Sequence, residues 1–236
     1  MKISVGNRQI ADMALFAFLK VITKINKYSH IVRYNKNEEL KRVIQDYKVK
    51  MGFGLHTGWA IEGAIGSYFK IDASYLSPNV NMAARLESSS KQYKVPMLVS
   101  GDFYEVLTQE VKKLTREIDT VTVKGSIRPV RLFTVDVHTE GLVEQRDRFA
   151  RLPNKMKKRE YERERMDMWS KLDRGRKTSL QLIQADNDFQ ELRRNYNQAF
   201  ADQFSKAYRY YKDGNFPLAY SELEKTLEMS PSDGPT

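Results

Sequence analysis

The spacing of apolar residues along this chain predicts an α+β sandwich, helices packed on a mixed sheet, followed by an α-helical C-terminal tail. Three observations carry that prediction. Apolar side chains recur at helical spacing over residues 7–27, the spacing switches to strict alternation from Val49, and strand patterns give way to charged helical ones beyond residue 155.

The first helix is apolar on most faces (Ile10, Met13, Phe16, Leu19, Ile22, Ile25), so it is expected to lie against a sheet. Residues 28–47 are polar, with a short helical pattern from Glu38 to Tyr47. Val49, Met51, Phe53 and Leu55 alternate, as do Trp59 and Ile61, so 48–57 and 59–66 read as adjacent strands joined by a tight turn at Gly58. A helix over 77–93 follows, with Ser77 as N-cap and Pro78 in its first position. Then come a strand at 96–99, a short helix from Ser100 to about Leu107, and a final pair of strands, 115–123 and 129–137, turning at Gly125-Ser126.

Residues 1–137 form the first predicted domain. The polar, irregular stretch 138–154 reads as a linker, and 155–236 as a helical region. Its end is more specific. Ala207, Tyr210, Gly214, Phe216, Ala219, Leu223, Leu227 and Pro231 match the spacing of one tetratricopeptide-like hairpin, at about 200–232. One such hairpin cannot bury its own apolar face, so it must dock on 155–195, on the first domain or on another chain.

With 236 residues, 41% of them hydrophobic, the chain can bury a core. It has no cysteine, which removes disulfides and thiolate metal sites and suits a reducing, cytoplasmic setting. The apolar run 10–22 is shorter than a membrane span and contains Asp12 and Lys20, so membrane attachment is expected only through segments outside this chain. Much of the net charge of +10 lies between Arg146 and Lys177, where 13 Lys/Arg meet 6 Asp/Glu. The signs alternate at helical spacing, which predicts a solvated helix with side-chain pairs and no nucleic-acid partner.

The chemistry concentrates in Pro78-Asn79-Val80-Asn81-Met82-Ala83-Ala84-Arg85. Asn81 and Arg85 stand four residues apart, on one helical face, near the positive end of a capped helix. A guanidinium fork beside unpaired backbone amides suits a phosphate. The bland reading pairs Arg85 with a surface carboxylate and points Asn81 at solvent. Around this helix lie Gly52-Phe53-Gly54-Leu55-His56-Thr57-Gly58, Gly63-Ala64-Ile65-Gly66-Ser67 and Val123-Lys124-Gly125-Ser126. In this order the blocks resemble the C-terminal half of the catalytic domain of class III adenylate and guanylate cyclases, over roughly residues 8–137. The run Lys70 to Asn81 looks most like the ciliate members.

The resemblance implies a partial class III cyclase (ferredoxin-like) sandwich and a reaction. The ribose 3′-oxygen of a nucleoside triphosphate attacks its own α-phosphorus and pyrophosphate leaves, normally with Mg²⁺ or Mn²⁺. It implies that Asn81 orients the ribose, that Arg85 stabilises the α-phosphate and that Lys124 reaches the terminal phosphates. The base-reading position falls on Ser74, which favours ATP, while Asp72 reads as a turn residue. Family members also carry Phe-x-Asp-Ile-x-x-Phe-Thr and a Gly-Asp hairpin, whose aspartates hold the metals, and neither motif occurs here. Asp12, Asp46 and Asp72 do not sit in matching motifs. No metal ligand is therefore assigned, and the chain reads as part of a longer domain, inactive or unstable alone.

Family sites form between two catalytic domains, so another cyclase domain, in a homo- or heterodimer, is the expected partner. The alternative is a catalytically inactive homologue acting as a regulatory dimerisation partner or scaffold. RNA binding fits poorly, because Phe53 shares its strand face with Met51 and Leu55. His56 reads as a packed or hydrogen-bonded histidine rather than a general base.

Overall fold

The structure, a computed structural model, describes residues 5–122 and 128–236. In chain order these form α1 (Val5–Lys27), α2 (Ser29–Val32), α3 (Glu38–Val43), β1 (Phe53–Leu55), β2 (Ile61–Ser67), β3 (Lys70–Leu76), α4 (Pro78–Gln92) and β4 (Met97–Ser100). There follow α5 (Gly101–Val106), α6 (Gln109–Lys112), β5 (Thr115–Val121), β6 (Val130–Val135), α7 (Asn154–Asp173), α8 (Ser179–Gln184), α9 (Asn187–Leu192), α10 (Gln198–Lys212) and α11 (Phe216–Met229). They fall into two compact units, each assembled from separate stretches of chain. One comprises 1–51, 108–111 and 137–196; the other comprises 52–107, 112–136 and 197–236.

The first unit is helical. Leu15, Leu19 and Ile22 of α1 are almost fully buried. Within this unit α8 and α9, not strands, cover the helix. The cover is fastened by charge: Lys20 Nζ lies 2.8 Å from Asp186 and 2.6 Å from Asp188, and Lys27 lies 3.1 Å from Asp188 and 2.9 Å from Glu191. Asp12, fully buried, accepts from the Thr108 amide at 3.0 Å and its hydroxyl at 2.8 Å. No helix among the described residues is long and apolar enough to cross a membrane.

The irregular stretch after residue 137 is anchored rather than loose. His138 N donates to Leu192 O at 2.9 Å, and Gln145 N to Lys27 O at 2.8 Å. Asp147 accepts from Tyr161 Oη at 2.6 Å and Phe149 N at 3.0 Å, and pairs with Lys157 at 2.7 Å. Burial alone would raise its carboxyl, but Lys157, Tyr161 and Phe149 outweigh that and hold it at about 2. A depressed carboxylate stabilises the fold above its unfolded pKa, about 3.9, and loses that contribution as pH falls through the folded value. The difference in melting temperature between the wild type and Asp147→Asn is therefore expected to be full at neutral pH and to vanish between about pH 4 and pH 2.

The second unit is built on a four-stranded mixed sheet in the order β1-β4-β6-β5, with β1 parallel to β4 and the other pairs antiparallel. The turn expected at Gly58 does not join two paired strands. β1 pairs with β4, Phe53 opposite Met97, whereas β2 pairs with β3 in a separate two-stranded ribbon. Asp72 is accordingly a strand residue, opposite Ile65, and not part of a turn.

Glycine explains how α4 reaches β1. A Cβ on Gly54 would lie 2.2 Å from Ala83 O and 2.5 Å from Glu87 N, both backbone atoms of α4. The helix can rest on this strand only because the side chain is absent. Gly54→Ala is expected to destabilise the unit by about 3 kcal/mol, measured by urea unfolding, because relief requires lifting a whole helix.

The opposite end of the chain completes this core. Phe204 and Tyr208 of α10 join Leu86, Leu98, Ile118 and Leu132 in one buried cluster, so the helical hairpin α10–α11 docks on the sheet and on α4. Gly214, at φ +75°, makes the turn between the two helices. Tyr208 Oη lies 3.2 Å from Thr120 Oγ1, and Tyr93 Oη donates to Asp119. Beneath the hairpin Arg116, 5% exposed, pairs with Asp136 at 2.8 Å and Asp233 at 2.7 Å, its guanidinium 4.2 Å from the Phe204 ring centre.

Candidate functional site

Helix α4 begins as the sequence predicts. Ser77 is extended and its Oγ accepts from Asn79 N at 3.0 Å; Pro78 follows in the first turn, which contains no acidic residue. That leaves the positive end of a helix fifteen residues long without a resident carboxylate.

Asn81 and Arg85 both lie on this helix, Asn81 exposed and Arg85 half-buried. Among the described residues neither side chain has a hydrogen-bonding or ion-pair partner: Arg85 lacks the surface carboxylate of the bland reading, whereas the exposure of Asn81 agrees with it. The adjacent carboxylate, Glu87, pairs instead with Lys91 at 3.3 Å. An unengaged guanidinium with only part of its surface in water is a ready anion ligand.

Ser74 stands in β3 opposite Gly63, half-buried in a ribbon otherwise exposed, three residues before the cap of α4. Strand, cap and helix are consecutive, so Ser74, Asn81 and Arg85 belong to one β-turn-α segment. Lys124 lies outside the described residues.

Sequence reasoning expected a packed or hydrogen-bonded His56, as found, but not the polar network around it beneath this segment. Ser77 Oγ donates to Trp59 O at 2.5 Å and Asn79 Nδ2 donates to the same oxygen at 2.8 Å. His56 bridges Asn79 Oδ1, 3.1 Å from Nε2, and Ser100 Oγ, 2.8 Å from Nδ1. The available signal was the set of short polar residues at the starts of α4 and α5, where each side chain satisfies a helix amide and retains capacity for a second bond.

Divalent metals need several hard oxygen ligands. Among the described residues no three His, Cys, Asp or Glu side chains gather where they could hold an ion.

Comparison with known proteins gives a family. Residues 4–137 match the family described as the adenylate and guanylate cyclase catalytic domain. The chain is 31% identical over 88 residues to the terminal-differentiation specific adenylate cyclase of Dictyostelium discoideum, covering 37% of this chain and 4% of that protein. It is 29% identical over 89 residues to an adenylate cyclase of Anabaena cylindrica, covering 37% and 18%. The chain thus spans less than a fifth of each of these relatives. The adenylyl cyclase CyaB from P. aeruginosa is similar at 26% identity and a TM-score of 0.33, over 42% of this chain and 48% of that one, a local likeness that adds nothing further. The match to the family spans more than half of the chain, and on that ground the protein belongs to the adenylate and guanylate cyclase catalytic domain family.

Proposed function

We propose that this chain supplies the phosphate-handling part of a nucleotide cyclase site, acting on a nucleoside triphosphate to form the 3′,5′-cyclic monophosphate and pyrophosphate, with ATP favoured. The observation that carries it is the Asn81/Arg85 pair, without a side-chain partner among the described residues, on a capped helix whose first turn has no acid. In the step, the 3′-hydroxyl oxygen bonds to the α-phosphorus as the bond to the bridging oxygen breaks, and the hydroxyl proton passes to water. Negative charge grows on the phosphates as this proceeds. Arg85 neutralises that charge, Asn81 holds the ribose so that the 3′-oxygen faces phosphorus, and Lys124 engages the terminal phosphates. Ser74 accepts from the adenine amino group, and both relatives compared above are named adenylate cyclases.

Mg²⁺ or Mn²⁺, general to the family, would be held by a partner domain. The ribbon β2–β3 supports such a partner: Trp59, Ile61, Tyr68, Phe69, Ile71 and Leu76 are all more than half exposed. A two-stranded ribbon is marginal alone, and apolar side chains on both faces call for a covering surface.

The test has two arms. One is binding of non-hydrolysable ATP and GTP analogues to the purified chain. The other is cyclic-nucleotide formation after mixing it with a family catalytic domain whose own helix Asn and Arg have been replaced. ATP-analogue binding, with turnover only in the mixture, is expected. Binding neither analogue overturns the proposal; binding without turnover selects the non-catalytic regulatory partner.

A further inference from the structure

We infer that His56 is a positioning residue, locking the first turn of α4 to the ends of β1 and β4 and so setting where Asn81 and Arg85 stand. The mechanical part rests on the bonds alone; its effect on nucleotide binding rests on the function proposed above.

The bonds place the imidazole proton that faces α4. Asn79 Nδ2 donates to Trp59 O, which turns its Oδ1 toward the imidazole. Oδ1 can only accept, so His56 Nε2 carries the hydrogen and donates across 3.1 Å. Nδ1 lies 2.8 Å from Ser100 Oγ, which itself accepts from Phe103 N at 3.2 Å, and 3.9 Å from Asp102 Oδ2. A ring whose side chain is 6% exposed therefore has both nitrogens satisfied.

The ring also joins the right elements. His56 directly follows β1, Ser100 closes β4 and caps α5, and Asn79 is the second residue of α4. Gly58 makes the approach possible: a Cβ there would lie 2.2 Å from Asn79 Cγ. The start of α4 is thus held through Asn79 and, by way of Trp59 O, through Ser77. Asn81 is two residues beyond Asn79. A displacement of about 1 Å at such a site is worth about a hundredfold in rate.

Two variants separate the possibilities. His56→Leu removes both bonds, whereas His56→Gln keeps an N–H near the position of Nε2. In the ligand-free chain, amide hydrogen exchange over residues 80–84 is expected to be about tenfold faster in His56→Leu and to return to near the wild-type rate in His56→Gln. At a temperature where all variants are folded, the dissociation constant for the ATP analogue is expected to rise about tenfold in His56→Leu, and in the double variant with Asn79→Ala, which also loses the bond to Trp59 O, by less than the product of the two single effects. A residue with a merely structural role would lower the melting temperature and leave exchange and affinity of the folded protein unmoved. Unchanged exchange in His56→Leu, no rescue by His56→Gln, or additive losses with Asn79→Ala overturns the inference. If His56→Leu does not fold, Asn79→Ala takes its place in the exchange measurement, since it breaks the same bond from the helix side. A wild-type chain that binds no analogue removes the nucleotide reading, and the exchange result alone then decides the positioning role.

Discussion

Arg116→Ala is expected to cost the sheet-containing unit about 3–5 kcal/mol, the largest stability effect of any single change described above. The reason is what it leaves behind. Asp136 and Asp233, with side chains 16% and 12% exposed, would keep their charges and lose the guanidinium that each of them contacts. Burial alone would depress the Arg116 pKa, but the two carboxylates more than offset that and raise it, so the cation does not escape by losing its proton. The rings of Phe204 at 4.2 Å and Phe200 at 5.0 Å add cation–π attraction that an alanine cannot replace. Asp233→Asn is expected to be milder, because Arg116 keeps Asp136. Urea unfolding of the three proteins measures the difference, and equal midpoints for Arg116→Ala and wild type would contradict it.

Arg85→Ala is expected to do the reverse, leaving the fold intact and removing function. Because the side chain has no partner among the described residues, its loss should shift the urea midpoint little. Cyclic-nucleotide formation in the mixed assay should fall by about 10²–10³-fold, the usual effect of deleting one preorganised donor to developing charge. Arg85→Lys keeps the charge but loses the planar fork, so an intermediate rate is expected. A large stability loss in Arg85→Ala would show that the side chain serves packing instead.

The helix that carries these residues was legible because its signals are local: Ser77 and Pro78 mark its start, and the i,i+4 spacing places Asn81 and Arg85 on one face. The strands were less so. Only three residues of the alternating stretch 48–57 become strand, because pairing is decided by Met97–Val99, some forty positions away. Strand β3 was missed because its ribbon is exposed, so burial imposes no apolar alternation on it. Gly54 and Gly58 were visible as glycines, but their purpose, making room for Ala83 and Asn79, depends on a helix that arrives from later in the chain. The Arg116–Asp233 pair spans 117 residues and no local pattern announces it. In the C-terminal hairpin the expected positions Ala207 and Ala219 are buried, yet Phe216 is 61% exposed and the true anchors are Phe204 and Tyr208.

That late-arriving anchor bears on biogenesis. During translation Leu86, Leu98, Ile118 and Leu132 emerge from the ribosome well before Phe204 and Tyr208 exist, so the nascent sheet must wait with its apolar side uncovered. Contacts this distant in sequence slow folding and prolong exposure to aggregation. Maturation of this unit is consequently set by the arrival of α10 with Phe204 and Tyr208, and chaperone protection matters most in the interval before they appear.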